Sequence, residues 1–400
     1  MPNESNDQRK VILVALHTPV NTGYAIEPLE RLFFETALEL TAEPRDVLLS
    51  YADLSSGRPH WLDDYPNERF PDLDTDQIRV LEAPYRDESE AFHERFAGQL
   101  REAGVNCVIG FDLQVNLPVI RAMRKGGAKR IATYWGAPMS SLNSGLKLLL
   151  KRVEVALRRY QPDHYLFESY GMQDTAVRGR GIPKKRTGIV RLGVDPDRYT
   201  TRTTEGYLEN EFNIPDERKT FFYAGHMEAR KGVHVIVQAL AHVVNELGRK
   251  DIHVLICGNK GNEAETFDKY YKGTRAVEYL TFGGYRSDIA TILPNCYASI
   301  IASTGWDSFP RSSLEMAVSG LPLLVSNLPG LNETVDPGDT GFLFETGNYK
   351  ALAERMVQLA DDPALRQRMS RAAVARVHAS YTVSHQRENF RIAMQRIFQW

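Results

Sequence analysis

Short runs of β-branched and other apolar residues alternate with amphipathic segments along the chain, a pattern that predicts alternating strands and helices. VILVAL, from Val11 to Leu16, reads as a buried strand; the turn-forming HTPVNTG follows it, and EPLERLFFETALEL then carries apolar residues at helical spacing. The unit returns in DVLLSYAD, in EAFHERFAGQLREAG leading to NCVIGFD, and in LPVIRAMRKGG leading to RIATYWG. A polar, turn-rich stretch from Pro196 to Lys219 interrupts the series and predicts a domain junction there. A fresh series follows, with TFFYAG, IHVLICG, AVEYLTFGG, YASIIAS, LPLLVS and GFLF as strands and KGVHVIVQALAHVVNELG, RSSLEMAVSG, ALAERMVQLA and PALRQRMSRAAVARVHAS as helices. Strands alternating with helices predict parallel sheets covered on both faces. We therefore expect two α/β domains, 1–195 and 196–383. A closing helix at 384–400 should pack Phe390, Ile392, Met394, Ile397 and Phe398 back on the first domain. Ligands of such sheets sit at the carboxyl ends of the strands, so a cleft between the domains is the expected site.

Length and charge agree with this picture. Four hundred residues exceed what one hydrophobic core usually organises. The formal net charge of −2 gives no global steering toward nucleic acid, which is not an expected partner. Cys107, Cys257 and Cys296 stand far apart in apolar surroundings, so they read as buried thiols without a disulfide or metal framework. The polar MPNESNDQRK lacks the apolar core of a secretory signal, and no run of about 18 apolar residues predicts a membrane span. Cytoplasmic residence is expected.

The richest stretch in chemistry is STGWDSFPRSSLEMAVSGLPLLVSNLPGLNETV. Asp307 precedes a helix and Glu315 lies eight positions on, within its first turns. Between them the N–H groups of Phe309, Arg311 and Ser312 lie at the helix start, where unpaired donors and the dipole favour phosphate. Pro310 suits that entry, since its missing N–H would be unpaired there anyway. Read alone, the two acids are equally an N-terminal capping group and a solvated surface charge.

This run resembles the E-x7-E region of the retaining GT-B glycosyltransferases of family 4, with Asp307 in place of the first Glu and FPRSSLE in place of the commoner FPNVLLE. The resemblance implies that Asp307 holds hydroxyls of a donor sugar, that Glu315 holds the nucleotide ribose and that the amides between them hold the diphosphate. FFYAGHMEARKGVHVIVQAL is similar to the family's strand and G-R loop leading into a K-G helix start. By that likeness Lys231 neutralises the diphosphate, His226 stands where an arginine is usual, and the adjacent Arg230 is placed to compensate. YLTFGGYRSD resembles the nucleobase loop, which puts Gly284, Tyr285 and Arg286 near the base. GIVRLGVDPDRY resembles the family's junction element, with Arg191 and Leu192 where Pro and Asn are usual. The likeness runs from about Gly145 to the end. It implies a GT-B fold of two Rossmann-like domains facing across a cleft.

The first 140 residues match poorly. TPVNTGYAIE resembles the family's glycine loop, with Gly23 allowing close approach to the diphosphate. His17 ends the first strand and is a candidate sugar contact. Trp135 stands where the family often has a histidine loop, and either stacks on a sugar or fills the core. In GLKLLLKRVEVALRRY, Leu146, Leu149, Leu150, Val153 and Leu157 form one stripe and Lys147, Lys151 and Arg158 another. We expect the apolar stripe to pack on its domain with the bases in water; a peripheral membrane contact through 145–160 would then be electrostatic.

The resemblance thus implies a retaining transferase moving a sugar from a UDP- or GDP-sugar to a hydroxyl of a glycan, glycolipid or small-molecule acceptor. No cofactor or metal is expected, because Lys231 and the helix amides take the charge a cation would otherwise carry. Two readings from other classes stay open at this point. One is a non-catalytic nucleotide-sugar-binding protein on a GT-B scaffold, and the other an α/β nucleotide-dependent oxidoreductase, although no G-x-G-x-x-G follows a strand.

Overall fold

The computed structural model describes residues 9–23 and 26–399. Residues 1–8, 24, 25 and 400 lie outside the described residues, and with them most of the polar amino terminus and the end of the closing segment. The chain forms two compact units, one of residues 1–190 with 387–400 and one of residues 191–386.

The first unit is built on seven parallel strands: β1 (Ile12–Ala15), β2 (Val47–Tyr51), β3 (Arg79–Glu82), β4 (Cys107–Phe111), β5 (Arg130–Trp135), β6 (His164–Phe167) and β7 (Thr187–Ile189). They lie in the order β3-β2-β1-β4-β5-β6-β7. The second holds six parallel strands: β8 (Lys219–Ala224), β9 (Ile252–Cys257), β10 (Leu280–Gly284), β11 (Ala298–Ile301), β12 (Leu323–Ser326) and β13 (Gly341–Phe344), in the order β10-β9-β8-β11-β12-β13. Alternate residues along a strand take opposite faces. Phe221 and Tyr223 of β8 therefore pack with Ile236 and Leu240 of the helix Val233–Asn245, while Phe222 between them packs with Phe309, Leu314 and Met316 on the far side.

Residues 191–195 go with the second unit. Arg191 pairs with Glu333 at 2.8 Å and lies 4.9 Å from the ring of Phe309, while Val194 N–H donates to Tyr381 O at 2.9 Å. The polar stretch at 196–219 thus lies within the second unit, where Leu208, Phe212 and Ile214 join its core, and is not the junction. The helix Val383–Ile397 ends the chain, and its residues from Arg387 onward belong to the first unit. Phe390 is fully buried, 5.1 Å from the ring of Phe33 and 6.1 Å from that of Tyr134, and Arg387 donates to Glu35 at 2.8 Å. Phe398 is buried as well, whereas Ile392 points to solvent.

The expected packing of the stripe on helix Gly145–Leu157 is not what forms. Val155 is its one buried residue, and Leu146, Leu149, Leu150, Val153 and Leu157 are all exposed. The helix instead docks by its polar side. Arg180 grips Glu154 with bonds of 2.9 and 3.1 Å, and Gly181 meets the backbone at Lys151 and Arg152 so closely that a Cβ would stand 2.7 Å away. No helix among the described residues is long and apolar enough to cross a membrane.

Because Phe390 fills the core of the first unit from the far end of the sequence, Phe390→Ala should lower stability by about 3–5 kcal/mol. Urea unfolding followed by tryptophan fluorescence reads this directly. A loss under about 1 kcal/mol, the size of an ordinary surface change, would show that the carboxyl-terminal helix is not part of that core.

Candidate functional site

In the second sheet, β9 and β10 lie beyond β8 on one side, and β12 and β13 beyond β11 on the other. Where the winding reverses, loops leaving the two central strands diverge and open a crevice at their carboxyl ends. Those loops are 225–232 and 302–310, and they hold Lys231 and Asp307.

Glycine sets how closely the two loops meet. Gly232 has φ 71°, and a Cβ there would stand 1.8 Å from Ala302 O, so no larger residue fits. Arg230 O accepts from Thr304 N at 2.7 Å and Gly305 N at 3.1 Å. This backbone seam brings Lys231 Nζ to 2.8 Å from Asp307 Oδ2, which also accepts from Ser303 Oγ at 2.8 Å. Asp307 Oδ1 accepts from Ser308 N at 3.2 Å. The carboxylate side chain is 7% exposed and the lysine side chain 18%. A pair so shielded is weakly screened, and removing one partner leaves an uncompensated charge.

The resemblance puts Asp307 on sugar hydroxyls and Lys231 on phosphate; the structure binds the two to each other. Both Asp307 oxygens are engaged in these contacts, and the side chain has little surface. Arg230, expected beside Lys231 as a second phosphate cation, is committed elsewhere. It pairs with Glu228 at 2.8 Å, donates to Trp306 O at 3.1 Å and lies 4.2 Å from the Trp306 ring. His226 is exposed on the loop, its carbonyl accepting from Tyr223 Oη at 2.9 Å.

After Asp307 the chain enters the helix Arg311–Val318 through Pro310, which is extended at φ −64° and ψ 134°. Phe309 is buried, 5.3 Å from the ring of Tyr381, and so anchors the entry while contributing only backbone to the crevice. Arg311 and Ser312 are the first two helical residues and partly exposed, and helix geometry gives their N–H groups no intrahelical acceptor. Burial raises the Glu315 carboxyl above the usual glutamate range, with a hydrogen bond from Tyr199 and the charges of Arg311 and Arg198 opposing it.

Loops after β9 and β10 line the same edge. Gly258 N donates to Gly284 O at 2.7 Å, and Asn259 Oδ1 accepts from Gly284 N at 3.0 Å. Tyr285 is exposed, with the Lys260 ammonium 4.9 Å from its ring. Arg286 turns away, donating to Asp288 Oδ1 at 2.7 Å and lying 5.2 Å from the Phe212 ring. Tyr285 is thus exposed, and the partly exposed Arg286 guanidinium is paired with Asp288.

The remaining candidates belong to the first unit, whose winding reverses between β1 and β4. His17 stacks on Phe111 at 5.3 Å and its Nδ1 lies 3.1 Å from Phe111 O; burial, the largest cause, lowers its pKa. Gly23 is exposed at φ 122°, a conformation open to glycine. Trp135 is 4% exposed and packs with Val155, Tyr165 and Phe167, so it fills the core and offers no face to a sugar.

Four residues at these sites escape sequence reasoning. Ser303 and Trp306 flank Asp307 in the quoted motif, and the exposed Trp306 ahead of the acid is a visible signal. Tyr199 reaches Glu315 from far away in sequence and carries no signal. Asp112, just after β4, adopts φ 52°, which is uncommon outside glycine. Its buried Oδ1 meets no hydrogen-bond partner among the described residues, and burial pushes its carboxyl up to about 7. Among the described residues no three His, Cys, Asp or Glu side chains gather as a metal site.

Residues 207–376 match the family described as Glycosyl transferases group 1. N-acetyl-alpha-D-glucosaminyl L-malate synthase of Bacillus anthracis is 27% identical over 174 residues, 44% of this chain and 44% of that protein. D-inositol 3-phosphate glycosyltransferase of Corynebacterium diphtheriae is 26% identical over 192 residues, 46% and 45% of the two. The chain thus spans about half the length of these curated relatives. A glycosyltransferase from Rickettsia africae superposes with a TM-score of 0.77 at 16% identity, covering 98% of this chain and 100% of its own. Anabaena HepE in complex with UDP gives 0.72 at 16%, covering 96% and 99%. These likenesses establish the GT-B fold, with its two Rossmann-like parallel-sheet domains. The family likeness lies in the second unit, where residues 207–376 match the glycosyl transferases group 1 model.

Proposed function

We propose that the chain is a retaining glycosyltransferase that moves a sugar from a nucleoside-diphosphate sugar to a hydroxyl of a glycan, a glycolipid or a small-molecule acceptor, working in the cytoplasm and peripherally at the inner face of the membrane. The observation that carries this reading is Lys231, held by Asp307 beside the start of helix Arg311–Val318. An ammonium has three donors. One serves Asp307, which leaves two for a diphosphate whose other oxygens meet the N–H groups of Arg311 and Ser312. Charge grows on that diphosphate as the glycosidic bond breaks, and donors fixed in advance stabilise it without reorganising. Glu315 is the ribose acid in this reading, and Gly284 and Tyr285 adjoin the base. Retention without a protein nucleophile is assigned to front-face attack, in which the leaving phosphate accepts the acceptor's proton. The names of the curated relatives support transferase chemistry, and the UDP complex of HepE makes UDP-sugars the first donors to try.

Lys231→Ala should lower turnover by about 100-fold or more while circular dichroism stays native, the range lost when one donor to a developing oxyanion is removed. Release of nucleoside diphosphate from a panel of UDP- and GDP-sugars measures it. Near-normal turnover would remove Lys231 from the chemistry.

The charge assigned to Lys231 and the helix amides leaves a divalent cation no role in transfer. EDTA should accordingly leave most of the activity intact. Complete loss restored by Mg²⁺ or Mn²⁺ would place the charge stabilisation on a metal instead.

Asp307 and Glu315 should fail differently. A ribose-binding carboxylate acts alike in ground and transition states, so Glu315→Gln should chiefly raise the donor KM, by about one to two decades. Because burial raises the Glu315 pKa, that KM should begin to climb on acidification at a higher pH than an ordinary glutamate would give. Asp307→Asn should lower kcat by a similar factor for every sugar, and add little to Lys231→Ala, since it acts through the lysine. A loss that differs among sugars on one nucleotide would instead return Asp307 to direct sugar contact.

A further inference from the structure

The helix Gly145–Leu157 presents to solvent what amphipathic helices usually bury. Leu146, Leu149, Leu150, Val153 and Leu157 are between 47 and 80% exposed. At about 100° per residue the five fall within about 100° of arc, opposite Val155 and Lys151 on the docked side. Lys147 flanks the ridge on one side and Arg152 on the other, and Arg158 and Arg159 follow the end of the helix. Residues 145–159 hold five bases and a single acid, Glu154, which is tied to Arg180.

We infer that this ridge inserts into an anionic lipid surface, with the flanking bases against the headgroups. Two facts choose lipid over a second copy of the chain. The apolar ridge is narrow and bordered on both sides by cations, the distribution of a helix lying in a membrane interface. A second copy laid on the same ridge would set bases against bases, with one acid per copy to answer them. The inference rests on the peripheral-membrane reading and changes the character of the contact expected through 145–160. With the leucines outward, apolar insertion dominates, and only the part due to the bases is screened by salt.

The test is flotation of the full chain with vesicles of phosphatidylglycerol and phosphatidylcholine, at low salt and at about 1 M salt, where the Debye length is about 3 Å. Wild-type protein should float at both, several-fold less at high salt and on phosphatidylcholine alone. The combined Leu149→Ser, Leu150→Ser and Leu157→Ser variant should lose at least about tenfold in partitioning at either salt, since each loses apolar carbon from the interface. All three are exposed, so its melting temperature should match wild type. Transfer to a water-soluble acceptor should be unchanged, which separates this test from the fate of the transferase reading. As a second measure, the fluorescence that Leu150→Trp adds over wild type should be quenched by brominated lipid. Absence of flotation, equal flotation of the serine variant, complete loss at high salt, or added fluorescence that brominated lipid leaves unquenched would each overturn the proposal. So would a lipid-free dimer that the leucine substitutions dissolve.

Discussion

The ion pair between Lys231 and Asp307 ties together the two loops that leave the central strands of the second sheet, and the site takes its shape from that tie. A lysine at the start of a helix meets the positive end of the dipole, which is unfavourable by itself. The carboxylate reverses the sign of that local field. Asp307 is in turn fixed by Ser303 and by Ser308 N, so the lysine is held by a group that cannot wander. Around the pair the backbones touch at Gly232 and Ala302, where any side chain would collide. The loop that carries the cation and the loop that opens the phosphate-facing helix are therefore one rigid piece.

That rigidity has an electrostatic consequence. In the free protein the pair is close to neutral, so the crevice does not advertise a strong positive charge. In the proposed reading, a diphosphate entering it would meet two lysine protons and the amides of Arg311 and Ser312. The neighbouring arginines are withheld, Arg230 by Glu228 and Trp306, Arg286 by Asp288 and Phe212. Aspartate has one methylene less than the glutamate usual in the resembling family, and its short stem keeps the carboxylate at the base of the loop, on Lys231.

How much of this was legible in the sequence differs from element to element. The alternation of VILVAL-like runs with amphipathic segments reveals both parallel sheets, because a strand buried on both faces must be apolar throughout. Spacing around Asp307 and Glu315 locates the crevice for a related reason, since topology places such loops at the carboxyl edge. Periodicity fails where the question is which side of an element docks. It shows the leucine stripe of helix Gly145–Leu157 but not that Glu154 and Arg180 turn the opposite side inward. The domain junction and the partners of Glu315 depend on Arg191 with Glu333 and on Tyr199, contacts between residues far apart in sequence that leave no local trace. Trp135 shows a further limit: a tryptophan ending a strand reads the same whether it fills the core or faces a ligand.

The two sheets reverse their winding in the same way, yet they hold opposite chemistry at the reversal. At β8 and β11 a cation is present and compensated, beside helix amides. At β1 and β4 the corresponding loops hold His17, whose burial disfavours its charged form, and Asp112, whose carboxyl has no cation partner among the described residues. An anion brought to Asp112 would meet either a negative charge or a protonated acid, neither of which attracts phosphate. The cation and helix amides assigned to phosphate in the proposed reading thus lie in the second unit, where the family model also matches. The first unit, outside the residues that the family model matches, holds a carboxyl in a left-handed turn with no cation partner among the described residues and a helix that keeps its leucines outside.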